Sequence, residues 1–196
     1  MSRLILISCA VLCCASWSFA QTSEEYPKNE FFAGYSFHSA DINTLTINPQ
    51  RTAQHGLNLE YTRNLTRHLG LTGDVSAHFK RASQTLSGGG VFESKRDQYY
   101  MLGGLQFSAR SQSRAKPFAR VMVGASLFRG FTSSRTTAGN VFTFDDATSL
   151  ALGLGAGLDV RVSKRISLRV IQADYIPTFF GSGHQNNFRL SFGLVF

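Results

Sequence analysis

Cysteine is missing from this chain after residue 14: Cys9, Cys13 and Cys14 all lie within the first twenty residues. A disulfide framework for the remainder is therefore excluded, and something else must hold the fold. Charged residues make up only 16% of 196, yet apolar residues reach 43%, which excludes a disordered chain. After residue 20 no unbroken apolar run approaches the roughly 18 residues of a spanning helix, so a helical membrane protein is excluded. No compact basic run occurs, which speaks against nucleic acid as a partner despite a net charge of +8. The histidines (His38, His55, His68, His78 and His184) are dispersed without ligand spacing, so neither a metal site nor a cofactor is expected. Gly153, Gly155 and Gly157 lie two apart with no helical pattern after them, which does not match a dinucleotide fingerprint.

What is abundant points to strands: 17 Phe and 18 Gly, with many Ser, Thr and Arg. Residues 1–20 read as an export signal. Arg3 supplies the positive start, Leu4 to Ala15 the apolar stretch, and Ser18 and Ala20 the small residues before cleavage, so the mature chain starts at Gln21. Loss of Arg3 takes the net charge from +8 to +7. Leu6-Ile7-Ser8-Cys9 also fits a lipoprotein processing box, but the apolar run before Cys9 is too short, and cleavage after Ala20 is the expectation. Residues 21–29 form a short N-terminal segment and residues 30–196 one folded unit.

Eight segments of that unit alternate with period two. Phe31, Ala33, Tyr35 and Phe37 oppose Gly34, Ser36 and His38, with Phe32 out of pattern. Segments then follow at 55–63, 69–80, 99–109 and 119–127. The clearest places Leu150, Leu152, Leu154, Ala156 and Leu158 against Gly153, Gly155, Gly157, Asp159 and Arg161. The seventh slips phase at Val170-Ile171, where a bulge would restore it. The eighth sets Phe188, Leu190, Phe192, Leu194 and Phe196 against Arg189, Ser191 and Gly193. Connections alternate long and short: 39–53, 81–97, 129–148 and 177–186 against 64–67, 110–116 and 163–165. An up-and-down sheet with one busy end and one tidy end has this rhythm.

Alternation does not say which face is inside; residue types do. A barrel of eight strands has a lumen just wide enough for side chains, so rows such as Leu150-Leu152-Leu154 fit better outside, against lipid. Backbone groups in hydrocarbon must all be paired, which a closed even-stranded ring achieves. The expected fold is all-β: an eight-stranded antiparallel up-and-down transmembrane β-barrel. The inner face then carries Glu60, Asp74, Asp159 and Asp174 against Arg120, Arg161, Arg169 and Arg189, and confined charges are expected to pair. An ion-pair plug that conducts little follows.

The export signal, the loop rhythm over residues 28 to 196 and the final FRLSFGLVF resemble the small eight-stranded OmpA-like outer-membrane barrels, barrel domain only. The resemblance implies a bacterial outer-membrane location. The sequence departs from the larger members in stopping at the last strand, so a role tethering the membrane to the wall through a peptidoglycan-binding domain is not expected, and a monomer is. It implies that Phe188, Leu190, Phe192, Leu194 and Phe196 are the assembly signal read by the barrel assembly machinery, with periplasmic chaperones as further partners. Outer-membrane lipid and lipopolysaccharide are the surrounding partners. Arg51, Arg81, Lys95, Arg96, Arg129 and Arg135, in the long connections, are candidate contacts for surface anions.

The function expected is structural or surface-interactive, with a narrow pore for small solutes or ions as the alternative. A membrane-embedded lipid-modifying enzyme is a third reading. Ser76 and His78 share a face, with Glu60 or Asp74 near enough to orient the histidine, and the set vaguely resembles lipid A deacylases in a different order. Polar trios arise readily in a polar lumen, so no catalytic residue and no enzyme is expected. A soluble ligand-binding barrel remains a fourth reading.

Overall fold

The computed structural model describes residues 26–41, 51–85, 90–110, 113–136, 139–180 and 183–196. The export signal and its cleavage point lie outside them. Eight strands follow in order: β1 (Asn29–Asp41), β2 (Arg51–Asn64), β3 (Leu69–Thr85), β4 (Val91–Ser108), β5 (Ala115–Thr136), β6 (Gly139–Arg161), β7 (Ser167–Phe180) and β8 (Gly183–Val195). Each pairs antiparallel with its neighbour, and β1 closes on β8 from Phe32↔Val195 to Ser39↔Phe188. Every strand therefore has a hydrogen-bonded neighbour on both sides of the ring, which is what a span of hydrocarbon demands.

The inversion is plain in the burial pattern. Among the described residues, 27 buried side chains are polar or charged and only 9 apolar, so the inside is not the core of a water-soluble barrel. The apolar rows lie outside: Leu150, Leu152 and Leu154 on β6, and Phe188, Leu190 and Phe192 on β8, are all at least partly open. Tight turns join β2 to β3 and β6 to β7, with the Ser163 hydroxyl accepting from the backbone N–H of Ile166 at 3.1 Å.

The phase slip at Val170-Ile171 is a bulge. The β7–β8 register shifts between Arg169 and Gln172, and both Val170 and Ile171 turn outward at about half exposure. Without it, Arg169 and Asp174 would point to opposite faces, since the side-chain period is two.

The long connections 81–97 and 129–148 are not coil. β3 and β4 stay paired to Thr85↔Val91, and β5 and β6 to Thr136↔Gly139. These strands run to 17, 18, 22 and 23 residues, beyond the roughly 10 needed to cross the apolar band. Two β-ribbons therefore continue past the membrane into water, where both faces are wetted and alternation fades.

Candidate functional site

The lumen is built from the inward-pointing residues of all eight strands. Its centre is Arg189 on β8, fully buried. Arg189 Nη2 donates to Asp74 Oδ2 at 2.7 Å, Nη1 to Asp74 Oδ1 at 2.8 Å and to Ser76 Oγ at 2.7 Å, and Nε to Asp174 Oδ2 at 3.0 Å. Arg120 on β5 reaches Asp174 at 2.7 Å, Glu60 at 2.5 Å and Asp74 at 3.3 Å. Arg169 on β7 reaches Glu60 at 2.5 Å and Asp159 at 2.7 Å. Gln172 cross-links the group by donating to both Glu60 and Asp174. Each guanidinium uses its planar fork, so both oxygens of the central carboxylates are engaged.

The pairs join into one chain of alternating sign. It runs Glu30, Lys116, Asp159, Arg169, Glu60, Arg120, Asp174, Arg189, Asp74, with links of 2.5 to 3.3 Å throughout. These residues come from seven of the eight strands, all but β4. Seven of the eight expected lumen charges lie in it. Arg161 does not: it keeps the inward parity of Asp159 but is the last residue of β6, below the rim and exposed to water. Lys116 takes its place, 3.3 Å from Asp159 and 2.7 Å from Glu30. Glu30, Arg110 and Lys116 were not anticipated because they sit at strand ends. Their signal was the alternation itself, continued outward: Glu30 shares parity with Phe32 and Ser36, and Lys116 with Phe118 and Arg120.

Phe32, out of pattern in the sequence, has a reason. The Arg169 guanidinium lies between the Phe32 and Phe118 rings, 4.3 Å from each centroid. Glycines make the room. A Cβ at Gly34 would strike the Phe32 ring, one at Gly157 the Phe118 ring, and one at Gly155 the Asp174 carboxylate.

Beside the charges lies a small apolar layer of Tyr100, Leu102, Met122, Ala151 and Ile176. Toward the far end His38 and His78 stack with centroids 4.7 Å apart. His38 bonds Gln54 at 2.9 Å and the Tyr100 hydroxyl at 2.9 Å. His78 bonds the Ser36 hydroxyl at 2.9 Å, whereas Ser76 accepts from Arg189. The Ser76–His78 constellation is therefore not assembled as a nucleophile and its base, and both residues are buried.

The surface cations separate by parity. Arg51, Arg81, Lys95 and Arg129 fall on the outer face, and Arg96 on the inner. Arg51 lies over the Phe188 ring at 5.0 Å, and Lys95 over Phe131 at 5.7 Å. Arg81 stands directly across from Lys95, whereas Arg129 stands between Asp97 and Asp146. Arg135 pairs by backbone with Val91 and Asn140, and its side chain is outside the described residues. Phe188, Leu190, Phe192 and Leu194 on β8, and Phe196 just after it, all present their side chains outward.

Residues 6–196 match the family model described as an outer membrane protein beta-barrel domain. No curated protein matches by sequence. Among solved structures, Ail, the attachment invasion locus protein of Yersinia pestis, in complex with the heparin analogue sucrose octasulfate, superposes with a TM-score of 0.55 at 15% identity, over 86% of this chain and 97% of that one. The outer membrane protease OmpT from Escherichia coli superposes with a TM-score of 0.53 at 8% identity, over 90% and 98%. At these identities the likeness is one of fold.

Proposed function

The chain belongs to the outer membrane protein β-barrel family, and from that premise we propose that it is a closed, membrane-seated platform whose extracellular β-ribbons make its functional contacts. The observation that carries this reading is the continuous ion-pair chain from Glu30 to Asp74 across the lumen. A solute would have to displace buried charged pairs to pass, and unpairing even one is costly. The reading is neither pore nor enzyme. In planar bilayers the purified barrel is expected to give no resolved unitary conductance at neutral pH. Large, regular current steps would overturn the platform reading in favour of the narrow pore.

The outer face of the ribbons supplies the contact. Like charges placed directly across a strand pair are destabilising, so Arg81 and Lys95 favour an anion that bridges them. Lipopolysaccharide phosphate is the anion an outer-membrane barrel meets there. That a like fold in Ail has been found with a sulfated ligand is consistent with an anionic partner. Arg129, flanked by Asp97 and Asp146, is the least suited of the outer cations. The double variant Arg81→Gln/Lys95→Gln is expected to lower lipopolysaccharide affinity about tenfold, and Arg129→Gln by less than about twofold. Equal losses in a direct binding titration would contradict the assignment. The outward apolar row ending at Phe196 suits recognition by the assembly machinery, with the mature protein a monomer.

A further inference from the structure

At the end of the barrel that carries the tight turns, the lumen opens into a basin of about 240 Å³. Its lining holds five cations, Arg67, Arg110, Arg114, Lys116 and Arg161, against two carboxylates, Glu30 and Asp159. Both carboxylates are already engaged: Glu30 by Arg110 at 3.1 Å and Lys116 at 2.7 Å, and Asp159 by Lys116 at 3.3 Å and by Arg169 deeper in the lumen at 2.7 Å. The mouth thus departs from the strict charge balance of the plug above it.

Arg110 gives the second observation. Its side chain is 9% exposed, and only its Nη2 meets Glu30. Its Nε is buried with no hydrogen-bond partner. A buried guanidinium N–H left unpaired is costly, so the protein itself leaves Arg110 incompletely satisfied. Arg114 and Arg161 stand next to each other, held by the backbone bond from Arg161 N–H to Arg114 C=O at 2.8 Å. Both are exposed to water.

We propose that this periplasmic mouth is a binding site for a phosphate group, seated between the Arg110 guanidinium and the paired Arg114 and Arg161. Charge selects phosphate over carboxylate. A phosphate monoester carries about −1.5 to −2 at neutral pH and several acceptor oxygens, enough for converging guanidinium forks, whereas a single carboxylate leaves most of the excess unmatched. Size bounds the rest. At about 30 Å³ per water, the basin holds the volume of roughly eight waters, room enough for a phosphate or diphosphate head. The group comes either from free periplasmic phosphate compounds or from the headgroup of an inner-leaflet anionic lipid.

The test is a calorimetric titration of the full barrel in phosphatidylcholine nanodiscs with inorganic pyrophosphate, and with acetate as the comparison. Saturable pyrophosphate binding is expected, weakening as salt rises, with acetate at least about tenfold weaker. Arg114→Gln/Arg161→Gln should reduce pyrophosphate affinity about tenfold or more, the effect of losing charge-assisted bonds. Neither residue enters the lumen ion-pair chain, so the fold is preserved. Arg63→Gln, on the outer face at the same end and bonded to Asn29 at 3.2 Å, should leave affinity unchanged. In nanodiscs containing phosphatidylglycerol, loss of pyrophosphate binding identifies the lipid headgroup as the occupant, and unchanged binding identifies a free phosphate compound. No saturable binding, equal binding of acetate, or equal losses in the Arg63 and Arg114/Arg161 variants would overturn the site. None of these results bears on conductance, so the site and the platform reading fail separately.

Discussion

Replacing Arg189 with methionine is expected to cost about 3–5 kcal/mol of barrel stability, read as a fall in the urea midpoint of the protein folded in lipid vesicles. The side chain is fully buried and satisfies Asp74, Asp174 and Ser76 together. Methionine fills similar space but leaves two carboxylates with Arg120 as their one remaining cation, at 2.7 Å from Asp174 and 3.3 Å from Asp74. The cost is that of stranded charge, so removing the stranded partner should recover much of it. Arg189→Met/Asp74→Asn is expected to regain about half the loss or more, because the coupling between neighbours in one network is non-additive. Arg161→Gln, exposed beyond the rim, should stay within about 0.5 kcal/mol of the parent. If Arg189→Met and Arg161→Gln behaved alike, the plug would not hold the barrel together.

The contrast between Arg189 and Arg161 marks where the sequence was legible and where it was not. Alternation assigns a side chain to a face, and it did so for both residues. It carries no information on height, which decides whether an inward residue meets other strands or water. The eight-strand ring was legible because a closed sheet in lipid forces the same two-residue period on every strand. The bulge at Val170-Ile171 was legible for the same reason, as a break in that period. Partners across the lumen were not. Arg169 and Glu60 are 109 residues apart and pair at 2.5 Å, and nothing local in either segment encodes that meeting. Phe32 violated the pattern because it packs on a charge and not on a core. The ribbon segments fall within the long connections 81–97 and 129–148 in the sequence because Ser, Thr, Asn and Arg are loop residues by composition. Above the membrane neither face needs to be apolar, so the period that reveals a strand is no longer enforced. The remaining signal is Phe142 and Phe144, two apart and both packed against Phe131.

The inversion itself sets the other large effect. Val123→Arg is expected to destabilise the barrel by about 2–4 kcal/mol in lipid vesicles, and Phe144→Arg by no more than about 1 kcal/mol. Val123 is the middle of the outward row Ala119, Val121, Val123, Ala125 and Leu127, is 53% exposed, and lies beside Leu152 on β6. An arginine there must sit at the midplane or drag water to it. Phe144 is the more exposed of the two positions, at 76%, and pairs with Phe131, eight residues farther along β5 than Val123. At about 3.3 Å per residue and a strand tilt near 40°, that places it roughly 20 Å above the midplane, outside an apolar band about 25 Å tall. Loss of the aromatic contact with Phe131, at 5.1 Å between centroids, is then its main cost. A barrel that faced water would rank the two the other way: Val123→Arg would be nearly neutral, and breaking the exposed aromatic cluster would be the larger loss. The order of the two urea midpoints therefore decides which solvent the outer face was built for.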